Sequence, residues 1–186
     1  RNWQDLVPAA YFGMALTVPT GISPYDDVSN SFDITGRGFY RLDANMLLDK
    51  TIYPWNGSLL VSYGKYLERD VNREYGKYVE PYRKELGDRL LATATFGYTH
   101  FLDNMDTMTF TLSYSQLEED AGQIDGRTDY SSEMEKESIG LTAAYSTMNR
   151  DWVYKLSFIH ASPEDGKGQN FPVTDVVTLG VSHVFR

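Results

Sequence analysis

The sequence has no cysteine, and only 17 of its 186 residues are lysine or arginine. The lack of cysteine excludes disulfide bonds, thiolate metal sites and cysteine nucleophiles. The formal net charge of −9 argues against a nucleic-acid partner, because phosphate binding needs clustered basic residues. No apolar run approaches the roughly 18 residues of a membrane-spanning helix. The chain begins RNWQ without methionine, and we expect a mature or trimmed chain.

What the sequence does contain is a repeated alternation of apolar and small polar residues. In 106–116 (DTMTFTLSYSQ), methionine, phenylalanine, leucine and tyrosine occupy one face, and threonines and serines occupy the other. A period of two predicts a strand, and no stretch shows a convincing helical period, so the predicted fold is all-β. The predicted strands are 11–18, 39–51, 58–66, 90–101, 106–116, 139–146, 152–158 and 176–185.

The connections between these strands alternate in length. The short turns are 53–57, 102–106 and 147–151, and the long polar links are 20–38, 67–88, 117–137 and 162–174. Such alternation places every elaborated connection at one end of the sheet, which is typical of bacterial outer-membrane barrels with short periplasmic turns and long extracellular loops. We therefore predict one domain over 1–186, an antiparallel transmembrane β-barrel. It has about eight strands in this chain and is either a whole barrel or part of a larger one.

The composition of the polar face indicates which face meets lipid. A water-facing set of strand residues normally carries many lysines and glutamates, whereas here it holds mainly threonine, serine, glycine and alanine. Small groups of this kind suit a narrow lumen, with the apolar set facing lipid. A soluble lipocalin-like barrel, with the apolar set turned inward around a ligand, stays open as an alternative.

Aromatic residues make up 14% of the chain, and many fall near the predicted short turns. Rings with one polar edge favour the depth of a membrane–water interface. We expect an interfacial belt at the short-turn end; its predicted members are Tyr53, Trp55, Tyr98, Phe101, Trp152 and Phe185.

Two stretches, LTVPTGISPYDD (16–27) and DITGRGFYRLDANMLLDKTIYPWNGSLLVSYGKY (33–66), resemble a known group. They are similar to the outer-membrane channel proteins of the phenol-degradation meta-pathway, and more distantly to the fatty-acid-transporter-like outer-membrane proteins. The final strand, TLGVSHVFR, also resembles the terminal strand of bacterial outer-membrane proteins, although those end on the aromatic residue and this chain ends on Arg186. The resemblance implies passage of small apolar or aromatic molecules and assigns no catalytic residue.

A set of polar residues shares the predicted inward register. Ionisable groups inside a barrel must pair or meet water, so they mark either a solute pathway or an ion-pair network that ties the strands together. Both interpretations stay open. The predicted lumen-lining residues are Arg41, Asp43, Asn45, Asp49, Thr93, Thr95, Thr109, Thr111 and Lys155.

Catalysis and metal binding have little support in the sequence. The three histidines, His100, His160 and His183, fall on the apolar register, and the best candidate for a serine–histidine pair is His160 with Ser162. We therefore predict no enzyme activity and no cofactor. The acidic stretch 116–138 holds eight carboxylates against two basic residues, with Asp125, Asp129 and Glu133 as candidate ligands of a divalent cation. The favoured interpretation is a solvated loop.

The sequence thus predicts an outer-membrane channel for small, apolar or aromatic compounds. The first alternative is a structural or adhesive barrel with a filled lumen and acidic loops that bind partners, and the second is the soluble binder. Expected partners are outer-membrane lipid, lipopolysaccharide and a small solute, with no nucleic acid; the sequence leaves open whether the chain forms an oligomer.

Overall fold

The computed structural model describes residues 6–149, 151–163 and 173–185. Within this part of the chain the protein is all-β, as predicted, with twelve strands and two short 3₁₀ turns, and it has no helix long and apolar enough to cross a membrane. The strands are β1 (Ala9–Thr17), β2 (Arg41–Ile52), β3 (Trp55–Tyr66), β4 (Arg69–Glu74), β5 (Lys77–Glu85), β6 (Arg89–Phe101), β7 (Thr107–Glu119), β8 (Gly122–Ile124), β9 (Arg127–Asp129), β10 (Met134–Ser146), β11 (Trp152–Pro163) and β12 (Thr174–His183).

Eight of these strands form one antiparallel sheet in the order β1-β2-β3-β6-β7-β10-β11-β12. Each of the eight predicted strands corresponds to one strand of this sheet, and sequential neighbours pair as in a chain of hairpins. Among the described residues no pairing joins β1 to β12, so the sheet has two edges. The all-β antiparallel prediction is confirmed; a closed barrel is not seen.

The eight predicted strands account for the large sheet, but the described chain has four more, because two of the long links contain strands of their own. The link 67–88 forms the hairpin β4–β5, and the link 117–137 contains the shorter hairpin β8–β9. The two hairpins pair through β5 and β8 into a four-stranded sheet, here called the cap sheet. Sequence alternation missed them because their exposed positions carry charged residues on both faces, so that no apolar stripe marks them.

Turn chemistry explains how the hairpins close. Tyr75 and Gly76 both adopt positive φ at the tip of β4–β5, and Asp125 and Gly126 do so at the tip of β8–β9. Two successive positive φ values define the turn whose twist matches that of paired strands. At the short-turn end, Asn104 and Asp106 hydrogen-bond to each other within the turn before β7. The link 162–174 lies partly outside the described residues.

The buried apolar core of the described chain is small and lies mostly at the long-loop end. Only six apolar side chains are less than 9% exposed, and five of them belong to the cap sheet, to the segment 18–40 or to the strand ends beside them. They are Val28, Phe39, Tyr66, Val71 and Met134, and the sixth is Ala161 on β11. The eight-stranded sheet therefore does not rest on a layer of buried apolar side chains.

Candidate functional site: the hydroxyl face and its charged row

The two faces of the eight-stranded sheet differ in chemistry and in exposure. Directly paired residues share a face, so the pairing partners trace each row across the sheet. One such row starts with Lys50 and Gly57 on β2 and β3 and holds only apolar residues from β6 to β12, where its members are Phe96, Leu112, Leu141, Phe158 and Val177. All five side chains are exposed, between 42% and 67%. We call this side the apolar face.

The opposite side, here called the hydroxyl face, carries the threonines and serines, and most of its side chains at mid-strand are half-buried. Its hydroxyls pair across neighbouring strands, which satisfies donors and acceptors without charge. The Oγ–Oγ distances are 2.5 Å for Ser58–Thr95, 2.9 Å for Thr93–Ser115, 3.2 Å for Thr99–Thr109 and 3.0 Å for Thr142–Ser157.

All nine residues of the predicted lumen set lie on this hydroxyl face by their register, but they do not form one cluster. Thr93, Thr95 and Thr109 take part in the cross-strand hydroxyl pairs, and Thr111 lies between Gly97 and Thr142. Asn45 and Asp49 lie further along β2, opposite Ser62 and Ser58. Lys155 is exposed on β11, opposite Ala144 and Gly180, several strands from the charged residues of β2 along the sheet.

Arg41 and Asp43 belong to a charged network at the long-loop end of the hydroxyl face. The row of paired residues that contains Asp43 runs across six strands and alternates in charge; its members are Ala15, Asp43, Gly64, Arg89, Glu119 and Met134. We call it the charged row. Asp43 and Glu119 are only 6% and 8% exposed, so each needs a partner for its charge.

Asp43 forms an ion pair with Arg41 of the same strand, β2. Arg41 Nε donates a 2.8 Å hydrogen bond to Asp43 Oδ1, and Thr17 Oγ1 donates a longer one, 3.4 Å, to Oδ2. The carboxylate lies directly over Gly64 of β3, where a Cβ atom would come within 2.5 Å of Oδ1. Because Gly64 has no side chain, this ion pair has room to lie against the sheet.

Glu119 forms an ion pair with a residue outside the sheet, Arg37 of the segment before β2. The Arg37 guanidinium donates a short hydrogen bond to Glu119 and lies 5.9 Å from the ring centroid of Tyr66, while Arg41 lies 5.4 Å from the same ring. Tyr66 is 5% exposed and accepts hydrogen bonds from both guanidinium groups through its hydroxyl. Burial opposes the charge of Arg37, but attraction and hydrogen bonding to Glu119 outweigh it, so the pKa of Arg37 is raised above its ordinary value.

Sequence reasoning did not assign Arg37, Tyr66 or Glu119 to this network. Glu119 continues the threonine–serine alternation of β7, which was a usable signal, but it was counted with the acidic link. Tyr66 likewise continues the alternation of Ser62 and Gly64 at the end of β3, whereas Arg37 precedes its strand and no period places it on the hydroxyl face.

The six residues of the predicted aromatic belt make ring contacts at the short-turn end, in two groups, although Phe101 pairs with Thr107 and so belongs to the hydroxyl face by its register. In the first, Trp55 lies 4.6 Å from Tyr98, and Tyr53 lies 5.7 Å from Phe101, measured between ring centroids. The second group extends from β10 across β11 to the end of β12; its members are Tyr145, Tyr154, Trp152, His183 and Phe185.

The candidate catalytic pair is not assembled. His160 Nδ1 lies 2.7 Å from Asp175 Oδ1, its direct partner on β12, whereas Ser162 pairs in register with Glu137. The other two histidines lie among aromatic rings, with His100 beside Tyr98 and His183 beside Trp152.

The candidate cation ligands are not brought together either. Asp125 accepts a hydrogen bond from the Arg83 backbone N–H at the tip of β8–β9, and Asp129 caps the following 3₁₀ turn through Ser131. Glu133 lies beyond that turn. Among the described residues no group of three or more acidic or histidine side chains is arranged to hold a metal ion.

Comparison with known proteins gives no assignment. No family model matches the chain, and no curated protein matches it.

Proposed function

We propose that this chain forms the wall of a bacterial outer-membrane β-barrel that passes a small, apolar or aromatic solute. The observation that carries the proposal is the contrast between the two faces of the eight-stranded sheet. The apolar face is exposed, and such a surface requires an apolar medium or partner. A bilayer supplies that medium, and the mostly uncharged, internally paired hydroxyl face then lines the interior.

A membrane location also requires partners for both edges of the sheet, because unpaired backbone groups are too costly in hydrocarbon. Strand β1 has no proline, no charged residue and no bulge, and β12 has no proline, no bulge and a single carboxylate, Asp175. Prolines, charges and bulges protect free edges from pairing, so their near absence from these two strands supports edges that become paired. The edges match in length, with nine and ten residues, and the residues on their hydroxyl side are small apart from Tyr11 and Val176.

The width of the interior follows from the number of strands that complete the ring. Eight strands enclose a space that side chains just fill. The mid-strand lining here is mostly threonine, serine, glycine and alanine, and this favours a cavity or a ring completed by additional strands. The resemblance of 16–27 and 33–66 to outer-membrane channels of aromatic degradation supports a small apolar or aromatic solute, with lipid and lipopolysaccharide around the wall.

Two measurements test the proposal. The first is solubility of the folded protein: we expect it to need detergent or lipid, and a monodisperse, folded sample in plain buffer would instead support the soluble lipocalin-like alternative. The second is single-channel recording in planar bilayers. We expect discrete current steps from correctly inserted protein, and their absence would refute the channel.

Cysteine cross-linking defines how the ring closes. The chain has no cysteine of its own, so one cysteine at position 13 or 15 and another at position 178 or 180 report on pairing between β1 and β12. An intramolecular disulfide identifies an eight-stranded closure, and a disulfide-linked dimer identifies a ring shared by two copies. No disulfide at any combination indicates that other strands complete the wall.

The second candidate function is a structural or adhesive barrel with an obstructed interior. It is favoured by the cap sheet and the segment 18–40, which lie at the long-loop end and hold three of the six buried apolar side chains of the described chain. In that case the acidic residues of the cap bind partners outside the cell. A well-folded, inserted sample that carries no current, in which the cap binds cells or matrix, distinguishes this function from a channel.

A further inference from the structure

We propose that residues 34–40 form a strap across the long-loop mouth of the hydroxyl face, latched by the ion pair between Arg37 and Glu119, and that this strap sets the size of the solute that passes. The inference rests on the proposed channel function. It identifies Arg37 as a specificity-determining residue, a role that nothing in the sequence pattern indicates.

The Arg37 side chain reaches across two strands of the large sheet. Arg37 lies four residues before β2, whereas Glu119 ends β7, and β3 and β6 lie between these two strands in the sheet. Strands lie about 4.8 Å apart, so β2 and β7 are separated by about 14 Å along the sheet. Because the Arg37 guanidinium contacts Tyr66 of β3 and bonds to Glu119, the segment leans over the hydroxyl face across β3 and β6.

The base of the strap, at Gly38 and Phe39, is fixed in direction. Gly38 has φ +79°, a left-handed conformation that turns the chain, and a Cβ atom there would collide with the Ser23 side chain. The Gly38 carbonyl accepts a 2.9 Å hydrogen bond from Arg69 of the cap sheet. Phe39, 4% exposed, packs edge-to-face on Tyr25 at 5.6 Å. The strap therefore has a rigid base from which the side chain of residue 37 projects.

The cap sheet also holds residues 23–26, against which Gly38 and Phe39 of the strap pack. Arg69 also bonds to Asp26 Oδ1 at 2.9 Å, and the Ser23 hydroxyl and backbone N–H, followed by Arg69, hold the pKa of Asp26 below its ordinary value. The Tyr75 N–H donates a 2.7 Å hydrogen bond to the Pro24 carbonyl. The strap is thus fastened to the cap sheet on one side and to β7 on the other.

The two partners of the latch differ in exposure. Glu119 is 8% exposed, whereas the Arg37 side chain is 50% exposed, so about half of the Arg37 side chain meets solvent at the long-loop end. Truncation of Arg37 therefore removes an obstacle at the mouth without cutting a cavity into the buried core. It leaves Arg41–Asp43, the other ion pair of the network, with its own contacts.

The experiment compares Arg37→Ala with the wild type in planar bilayers and in liposomes loaded with sugars of graded size. We expect a higher single-channel conductance and passage of larger sugars. Glu119→Gln should act in the same direction, and the charge exchange Arg37→Glu with Glu119→Arg should restore behaviour close to wild type. Arg73→Ala is the matched control, because Arg73 bonds to Asp27 and Tyr78, neither of which belongs to the charged row.

An unchanged conductance and size limit in Arg37→Ala, with a conducting wild type, would overturn the strap and leave the channel standing. A wild type without current would instead refute the channel. In that case the strap is tested without a current measurement. A cysteine is placed at position 111, and its rates of reaction with a small and a large maleimide, added from the long-loop side, are compared. The strap predicts a faster reaction with the large reagent in Arg37→Ala, and equal rates overturn it.

Discussion

The substitution Leu112→Arg places a charge at the centre of the apolar face. Leu112 is 48% exposed, is near the middle of the thirteen-residue strand β7, and pairs directly with Phe96 and Leu141. If this face meets lipid, position 112 lies near the bilayer midplane, as far from either interface as the strand allows.

The expected cost is about 2–4 kcal/mol of folding free energy in the membrane, the range for arginine on the lipid face at mid-bilayer. At about 1.36 kcal/mol for each factor of ten, this lowers the folding equilibrium constant by roughly 30- to 900-fold. If the same face instead met water, the change would replace one exposed side chain by another and stay within about 0.5 kcal/mol. The two outcomes do not overlap.

Thr111→Arg is the matched comparison, because it adds the same side chain one residue away, on the hydroxyl face. Thr111 lies between Gly97 and Thr142, among the small residues of the hydroxyl face. We expect a smaller cost there and a reduced conductance, since the arginine projects into the interior. The assay is reversible urea unfolding of protein refolded into lipid vesicles, followed by the fluorescence of the three tryptophans.

Equal penalties at positions 111 and 112 would refute the assignment of the two faces. A negligible penalty at position 112 in vesicles would refute the membrane location itself. A penalty confined to position 111 would mean that the hydroxyl face is the one packed against apolar material.

Two further predictions concern stability. Gly64→Ala should displace the Asp43 carboxylate, because the added Cβ would come within 2.5 Å of Oδ1. We expect it to lower the free energy of unfolding, measured in urea, by about 1–3 kcal/mol. The control Gly13→Ala should be neutral, because its Cβ would meet no atom within 4 Å. Hydrogen bonds from the Tyr145 hydroxyl, the Met148 N–H and the Asn104 amide hold the pKa of Asp106 below its ordinary value. Its ionised form therefore stabilises the fold above pH 3.8, and this contribution is lost as the pH falls through the lowered pKa. Asp106→Asn should reduce stability at neutral pH and flatten the acid limb of the stability profile; an acid limb as steep as in the wild type would contradict this role.

The strands of the large sheet were predictable because each carries its own signal. Alternation of period two is a local property, and the pairing of Leu112 with Phe96 and Leu141 simply aligns neighbouring alternations. The face on which each side chain lies was also predictable from local sequence, because once one residue of a strand is assigned to a face, the alternation assigns all the others. The short turns were marked by residues such as Asn104 and Asp106, whose side chains bond within the turn.

The cap sheet was not predictable in the same way. Its hairpins are short, and they are stabilised by pairing with each other through β5 and β8, over a sequence separation that no local window covers. Their turn residues Gly76 and Gly126 were visible in the sequence, but glycine alone does not distinguish a hairpin tip from an open loop.

The sequence by itself determined that the chain is an antiparallel all-β protein with one apolar and one hydroxyl-bearing face, because strand formation and facing depend on the period of neighbouring residues. Only the tertiary structure decided that Arg37 reaches Glu119, that Gly64 gives room to Asp43, and that the long links form a cap. These features depend on residues brought together from distant positions, and their energies come from burial and pairing of charge, which exist only after the sheet has formed.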